Sequence, residues 1–259
     1  MISVSVTDLP MLIAFWLVFT RLSAMIIQFP IFDEAGIPPM VKVLGCLVIS
    51  FAFFPYVQSW VLKDIAAVGV DQFWVLTVFY ALSGLILGQF VKSITQLFFA
   101  SGSLITQQIG FGAISYFDPQ AGSQVGPFEK IIVWTMLIVL LTSGALLPMF
   151  KGALVSFSTI TYHSWGSVTG GLDYFLTFFK GMFVSSILLA APAIFVNLLI
   201  MGVLGIIART VPQMNVLMVS FVINIALGLL VFLSTSAEFF NLAFKSYTEY
   251  LGKWFAIVN

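Results

Sequence analysis

The sequence predicts an all-α integral membrane protein built of helical hairpins, and three observations carry that prediction. Hydrophobic residues make up 61% of the 259, charged residues only 8%, and the mean hydropathy is +1.12. A water-soluble domain carries about 25% charged residues, so the outside of this chain has to face lipid or other protein. Several apolar stretches free of charge reach the length of about 20 residues that a helix needs to cross a bilayer. They are continuous, whereas barrel strands would alternate polar and apolar over about 10 residues.

Taken in order, residues 1–7 lack the positive leader of a cleaved signal peptide, so the first apolar segment is expected to be retained. Charge-free runs follow at residues 9–20 and 22–32, split by Arg21, and then at 43–62, 72–91, 131–150, 182–208 and 211–237. Each is read as helix. The stretch 29–39, with three prolines, a glycine and two acids, is expected to be a structured turn. Polar breaks are expected at 63–71 and 156–173, which leaves the acids in breaks and no chain of acids within the membrane. Arg209-Thr210-Val211-Pro212-Gln213 separates the last two runs so briefly that they should form a tight antiparallel hairpin. The tail, residues 239–255, reads as an amphipathic segment lying on a bilayer surface or against a partner.

Lysines and arginines punctuate almost every break, so the asymmetry on which the positive-inside rule depends is missing. The helices are therefore not expected to be a simple succession of crossings. Twenty-eight Phe and six Trp suit membrane interfaces and protein contacts. Lys+Arg 10 against Asp+Glu 10 gives no basic field for nucleic acid. With one cysteine, Cys46, and one histidine, His163, no metal or haem site is expected and no cofactor is implied. Catalytic groupings such as Ser/His/Asp, His-Glu-x-x-His and the phosphate loop are missing from the sequence, so an enzyme is not expected.

Three groups of residues stand out. Residues 93–117 carry no charge but hold Thr95, Gln96, Ser101, Ser103, Thr106, Gln107 and Gln108, whose polar groups must face other helices or a wet cavity. Beyond them comes Ile109-Gly110-Phe111-Gly112-Ala113-Ile114-Ser115-Tyr116-Phe117-Asp118-Pro119. Two glycines weaken the helix and Asp118-Pro119 marks a turn. The residues allow either a helix end leading into solvent or an apolar loop obstructing a conduit. Gly84 and Gly88 form a small-xxx-small pair that would let two helices approach closely. Arg21, isolated among apolar residues, either pairs with a neighbouring subunit, snorkels outward or is a buried functional charge.

Several stretches together resemble the FliR family, the membrane export-gate component of the flagellar type III secretion system. They are Arg21 in the first helix, Ile37-Pro38-Pro39-Met40-Val41-Lys42-Val43, the segment Gly110 to Gly122 with its Phe-Asp-Pro-Gln core, and Arg209-Thr210-Val211-Pro212-Gln213-Met214-Asn215. Their order and spacing agree across essentially the whole chain. The chain departs from the family at Thr142-Ser143-Gly144-Ala145, where relatives often carry Asn-Gly-His. The resemblance implies a FliP-like part over residues 1–180 and a FliQ-like hairpin with its tail over 181–259. It implies a heteromeric complex with FliP-like and FliQ-like membrane subunits, served by FlhA-like and FlhB-like export components. This complex would sit in the bacterial inner membrane at the flagellar basal body and pass exported flagellar proteins unfolded.

By the same resemblance, a loop near 108–122 corresponds to a channel plug formed by Ile109, Gly110, Phe111, Gly112, Ile114, Tyr116 and Phe117, turned by Asp118 and Pro119. Gln107, Gln108, Arg21, Arg209, Pro212 and Gln213 are the expected subunit or partner contacts. A virulence-type export-gate homologue shares the resemblance, though Asp118-Pro119-Gln120-Ala121-Gly122 looks more like the flagellar branch. The rival from another class is a small-solute secondary transporter, which would show two related halves with paired broken helices. Here only one broken, Gln-rich segment stands out.

Overall fold

In the computed structural model, residues 9–34, 36–110, 127–162, 171–211, 213 and 215–258 are described, and among them every regular element is helical. The helices are α1 (Leu9–Ile26), α2 (Pro30–Glu34), α3 (Pro39–Val68), α4 (Phe73–Ile109), α5 (Pro127–Thr142), α6 (Leu146–Thr159), α7 (Gly171–Thr210) and α8 (Val216–Val258), with a 3-10 turn at Val70–Gln72. Five of the long helices are apolar enough to cross a membrane, and a sixth crossing arises if α5 and α6 count as one broken span. At 1.5 Å per residue α7 and α8 are about 60 and 65 Å long, roughly twice the hydrocarbon core of a bilayer. Each therefore has to continue well beyond the lipid tails.

Sequence chemistry explains the ends of these helices. Pro39 opens α3, where its missing N–H costs nothing, and Pro38 lies in the extended region that precedes a proline. Gly69, at φ +95°, closes the same helix by donating its N–H to the Ile65 carbonyl. Asn215 caps α8 by accepting the Met218 N–H at 3.3 Å. Many hydroxyls inside the apolar helices bond to the preceding turn; Ser93 donates to Gln89 O at 2.7 Å and Thr106 to Gly102 O at 2.8 Å, whereas the buried Ser50 hydroxyl has no partner among the described residues. Such back-bonding lets polar side chains occupy helices that have no water beside them.

Several expectations change. The run at 131–150 is not one helix: α5 ends at Thr142 and α6 begins at Leu146. Gly144 at φ +72° turns the chain, and the hydroxyls of Thr142 and Ser143 fold back onto Ile138 and Leu140 carbonyls. The polar break at 63–71 is mostly helix, since α3 continues through Lys63 and Asp64 to Val68. Asp64 is consequently a buried acid rather than a loop residue, and Glu238 lies in the middle of α8. The tail is no separate surface segment either. It is the end of α8, and Phe239, Ala243, Tyr247, Tyr250, Leu251 and Trp254 are buried along one face. Within that stretch Tyr247 stacks on Phe98 with ring centroids 5.6 Å apart.

The chain forms two compact units, one of Met1–Ile94, Gly144–Leu176 and Tyr250–Asn259, the other of Thr95–Ser143 and Thr177–Glu249. Each unit is discontinuous along the chain. In the first unit α1 packs on α3, and α4 crosses α1 where the glycine pair lies. A Cβ placed on Gly84 would fall 2.5 Å from the Arg21 carbonyl oxygen, and one on Gly88 would fall 3.0 Å from Met25 Cα. The pair thus does what small-xxx-small spacing allows, bringing two backbones into contact. In the second unit α7 and α8 face each other: Leu189, Pro192 and Ala193 line one cavity with Val231, Phe232 and Thr235. Those residues lie at matching distances on either side of position 212, which gives the expected antiparallel hairpin.

Gly84→Ala should lower stability by about 1–3 kcal/mol, since a backbone oxygen cannot move aside. Gly202→Ala, with open space around it, should leave stability unchanged. Thermal unfolding of the detergent-solubilised protein checks the pair, and equal midpoints would contradict the α1–α4 seam.

Candidate functional site

Two polar clusters stand out against the apolar background. The first is centred on Arg21, which is completely buried in the first unit. Its two terminal nitrogens fork onto the end of α6: Nη2 donates to Ser156 O at 2.8 Å and Nη1 to Ile160 O at 3.0 Å. These carbonyls belong to the last turn of a helix, where the backbone leaves acceptors unfilled and the dipole favours a cation. The guanidinium also lies over the Phe157 ring at 4.7 Å and near the Tyr80 ring at 5.6 Å. Nε has no hydrogen-bond partner among the described residues.

Around this cation the buried Asp64 of α3 accepts the Tyr80 hydroxyl at 2.9 Å and the Tyr162 N–H at 3.4 Å. Four segments (α1, α3, α4 and the end of α6) therefore meet in one desolvated polar core. Two carbonyls of the same chain accept from its terminal nitrogens and two ring faces cover its charge, and its side chain is fully buried within the chain. Nearby, Lys92 pairs with Asp33 at 2.9 Å, tying α4 to the short α2, and Gln28 donates to Leu85 O at 3.2 Å.

The second cluster sits in the second unit at the C-terminal end of α4. Gln107 is exposed and, among the described residues, donates to Ser103 of its own helix, at 3.3 Å. Gln108 instead accepts a hydrogen bond from Asn197 of α7 at 2.6 Å. Ile109 is buried, with its backbone against the bare Gly228 of α8: a Cβ there would lie 2.8 Å from Ile109 Cγ1 and 3.2 Å from its Cα. Gly110 ends the helix at φ +92°, donating its N–H to Gln107 O at 3.1 Å, beside Phe221, Asn224 and Ile225. That conformation is costly for any residue with a Cβ. The remaining expected plug residues Phe111, Gly112, Ile114, Tyr116 and Phe117, with Asp118 and Pro119, lie outside the described residues.

At the hairpin, Arg209 in the last turn of α7 is exposed, as is Gln213; Pro212 lies outside the described residues. A cation at a helix C-terminus is favourably placed even in isolation. Among the described residues no three His, Cys, Asp or Glu side chains gather into a set that would hold a metal ion. The sequence reading missed Asp64, Tyr80, Asn197, Asn224 and Gly228. Asn197 and Asn224 were the findable ones, because a lone amide in a charge-free run needs a partner as much as the singled-out glutamines do.

A family model described as bacterial export proteins, family 1, matches residues 12–250. The flagellar biosynthetic protein FliR of Bacillus subtilis (strain 168) is 31% identical over 222 residues, 83% of each chain. FliR of Aquifex aeolicus (strain VF5) is 27% identical over 232 residues, 88% of this chain and 87% of that one. The surface presentation of antigens protein SpaR of Shigella flexneri is 24% identical over 225 residues, 86% of each.

Arg21→Ala strips two helix-end carbonyls of a charged donor and should cost about 3–5 kcal/mol. Tyr80→Phe removes one bond to Asp64 and should cost about 1–2 kcal/mol. Arg21→Lys should fall between wild type and Arg21→Ala, because a single ammonium cannot reproduce the fork. Chemical unfolding in detergent ranks the three, and Arg21→Ala at wild-type stability would refute the core.

Proposed function

We propose a role that proceeds from one premise: the chain belongs to the bacterial export proteins, family 1. It is a membrane subunit of the flagellar type III export gate, forming part of a channel through which unfolded flagellar proteins leave the cell. The observation that carries the flagellar reading is the match to FliR proteins over four-fifths or more of the chain. The SpaR likeness, at 24%, reflects a shared architecture with the virulence branch.

The finer reading is as follows. The chain lies in the bacterial inner membrane at the basal body. It assembles with FliP-like and FliQ-like membrane subunits, and FlhA-like and FlhB-like components deliver substrate. Residues 1–180 take the FliP-like place and 181–259 the FliQ-like hairpin. Supporting this, large apolar side chains such as Met40, Phe51, Phe183, Leu188, Ile206 and Leu233 are exposed on helices too long for a bilayer alone. Sister subunits are the natural cover for the part outside lipid. Arg209 and Gln213, exposed at the hairpin end, contact neighbouring subunits. The chain contributes walls and a seal and carries out no catalysis of its own.

The seal is the segment that begins at Gly110. Ile109, Phe111, Ile114, Tyr116 and Phe117 supply bulk against ions, and Gly110 and Gly112 supply the freedom to yield to a threading polypeptide. Phe111→Ala combined with Phe117→Ala should raise ion conductance through the reconstituted complex several-fold, while the complex copurifies with its two small hydrophobic partners. Conductance at the wild-type level would remove the plug role from those residues. Arg209→Ala should reduce recovery of the complex and swimming; unchanged assembly and motility would remove the contact role from Arg209.

A further inference from the structure

We propose that the cavity of the second unit, walled by α4, α7 and α8, binds a phospholipid with a primary-ammonium headgroup. One acyl chain enters the cavity and the ammonium rests on the carboxylate of Glu238. The inference needs the chain to be a membrane protein and does not draw on the seal assigned to the residues after Gly110. The cavity measures about 120 Å³, and Ile105, Leu189, Ala193, Phe232 and Phe239 give it apolar walls. That is room for a stretch of hydrocarbon and too little for a helix, which is about 10–12 Å across. Thr235 and Glu238 are its two polar side chains, and Thr235 spends its proton on Val231 O at 2.8 Å. Pro192 of α7 also lines the space. Lacking an N–H for the Leu188 carbonyl, it breaks the hydrogen-bond ladder of α7 at this level.

The charges place this cavity at the edge of the hydrocarbon. From Val216 to Ala237 α8 carries no charge. At 1.5 Å per residue that stretch is about 33 Å long, close to the ~30 Å of a bilayer core. Glu238 is the first charge on the helix, and Lys245, Glu249 and Lys253 follow it. On α7, Ala193 and Leu188 lie 16 and 21 residues before Arg209 at the hairpin end, or about 24 and 32 Å. With the hairpin end at one face of the bilayer, both helices reach the opposite headgroup level at the cavity. Leu188, Leu230, Leu233 and Leu242 are exposed on the two helices at this height, as lipid tails require.

The headgroup follows from Glu238. It is exposed, and among the described residues no lysine or arginine forms an ion pair with it. No basic side chain lines the cavity. A net-anionic headgroup would therefore set its charge against the carboxylate with nothing to hold it. A choline headgroup brings a cation that has no N–H to donate. A primary ammonium offers three donors and makes a short, charge-assisted hydrogen bond to the carboxylate. At the lipid boundary this pair is less screened than one in open water. A lysine of a neighbouring protein carries the same ammonium, but the depth of the cavity and its room for hydrocarbon favour a lipid.

The test supplies the full chain in detergent with dioleoyl phosphatidylethanolamine, phosphatidylcholine or phosphatidylglycerol and reads retained lipid by native mass spectrometry. The wild type should retain phosphatidylethanolamine about fivefold over either of the others, the effect of one partly wet ion pair. Glu238→Gln should level the three lipids, and Glu238→Lys should turn the preference toward phosphatidylglycerol. Both should keep the wild-type thermal midpoint, since the side chain is exposed. Ala193→Leu, which fills part of the cavity, should lower retention of phosphatidylethanolamine; where it unfolds the chain, the two Glu238 variants decide. Equal retention of the three lipids by the wild type overturns the site, as does a preference that survives Glu238→Gln. Carbodiimide, which joins a carboxylate to a primary amine in contact with it, separates the two sources of ammonium in native membranes. An adduct of one phosphatidylethanolamine at Glu238 supports the site. An amide from Glu238 to a lysine of another protein in its place overturns it.

Discussion

The guanidinium of Arg21 ties the first unit together by donating to two carbonyls at the end of α6, Ser156 O, which also accepts the Ile160 N–H, and Ile160 O. A helix that stops inside apolar protein leaves carbonyls that water would normally fill. Here one rigid fork reaches both Ser156 O, as a second donor beside the Ile160 N–H, and Ile160 O, and its charge lies over the faces of Phe157 and Tyr80. That arrangement fixes the height of α1 against α6. The Gly84–Gly88 seam then fixes the height of α4 against α1, with the Arg21 carbonyl itself in the seam. Asp64 and Tyr80 close the circuit from α3 to α4. Side chain and backbone of a single residue thus set the register of three helices.

The second cluster follows the same rule with weaker chemistry. Amides replace the ion, a glycine replaces the aromatic faces, and two acceptors are left unfilled. The contrast is physical rather than merely a matter of position. A buried cation bound by fixed carbonyls is expensive to expose and resists motion. A neutral amide pair over a bare glycine costs far less to separate.

Much of this was legible in the sequence, for reasons that differ by element. The helices followed from charge-free runs, since hydrophobicity is a local property and its consequence in lipid is local too. The Gly84–Gly88 contact followed from spacing on one helix face. The α7/α8 hairpin followed from a connection too short for anything else. What was hidden depended on tertiary placement. Lys63-Asp64 looked like a polar break because the hydroxyl that accommodates Asp64 comes from Tyr80 on another helix. The bend at Gly144 was hidden in an apolar run whose composition favours continuation. The acceptors for Arg21 are backbone oxygens, which every residue possesses, so no side-chain pattern could announce them. Gly228 carried no signal among the glycines of the apolar runs, because its role is defined by Ile109, more than a hundred residues earlier.

The distance along the chain between Arg21 and its acceptors has a consequence for how the protein is made. Ser156 lies 135 residues after Arg21, an interval that a ribosome working at about 5–20 residues per second needs roughly 7–27 s to cover. Throughout that time the first helix has been synthesised with a charge that lipid disfavours and whose two carbonyl acceptors have not yet been made. It therefore has to wait in a hydrated or proteinaceous shelter, such as the insertion machinery, and enter the bilayer together with helices that follow it. Insertion of this chain is thereby a collective event, with its timing set by the arrival of α6.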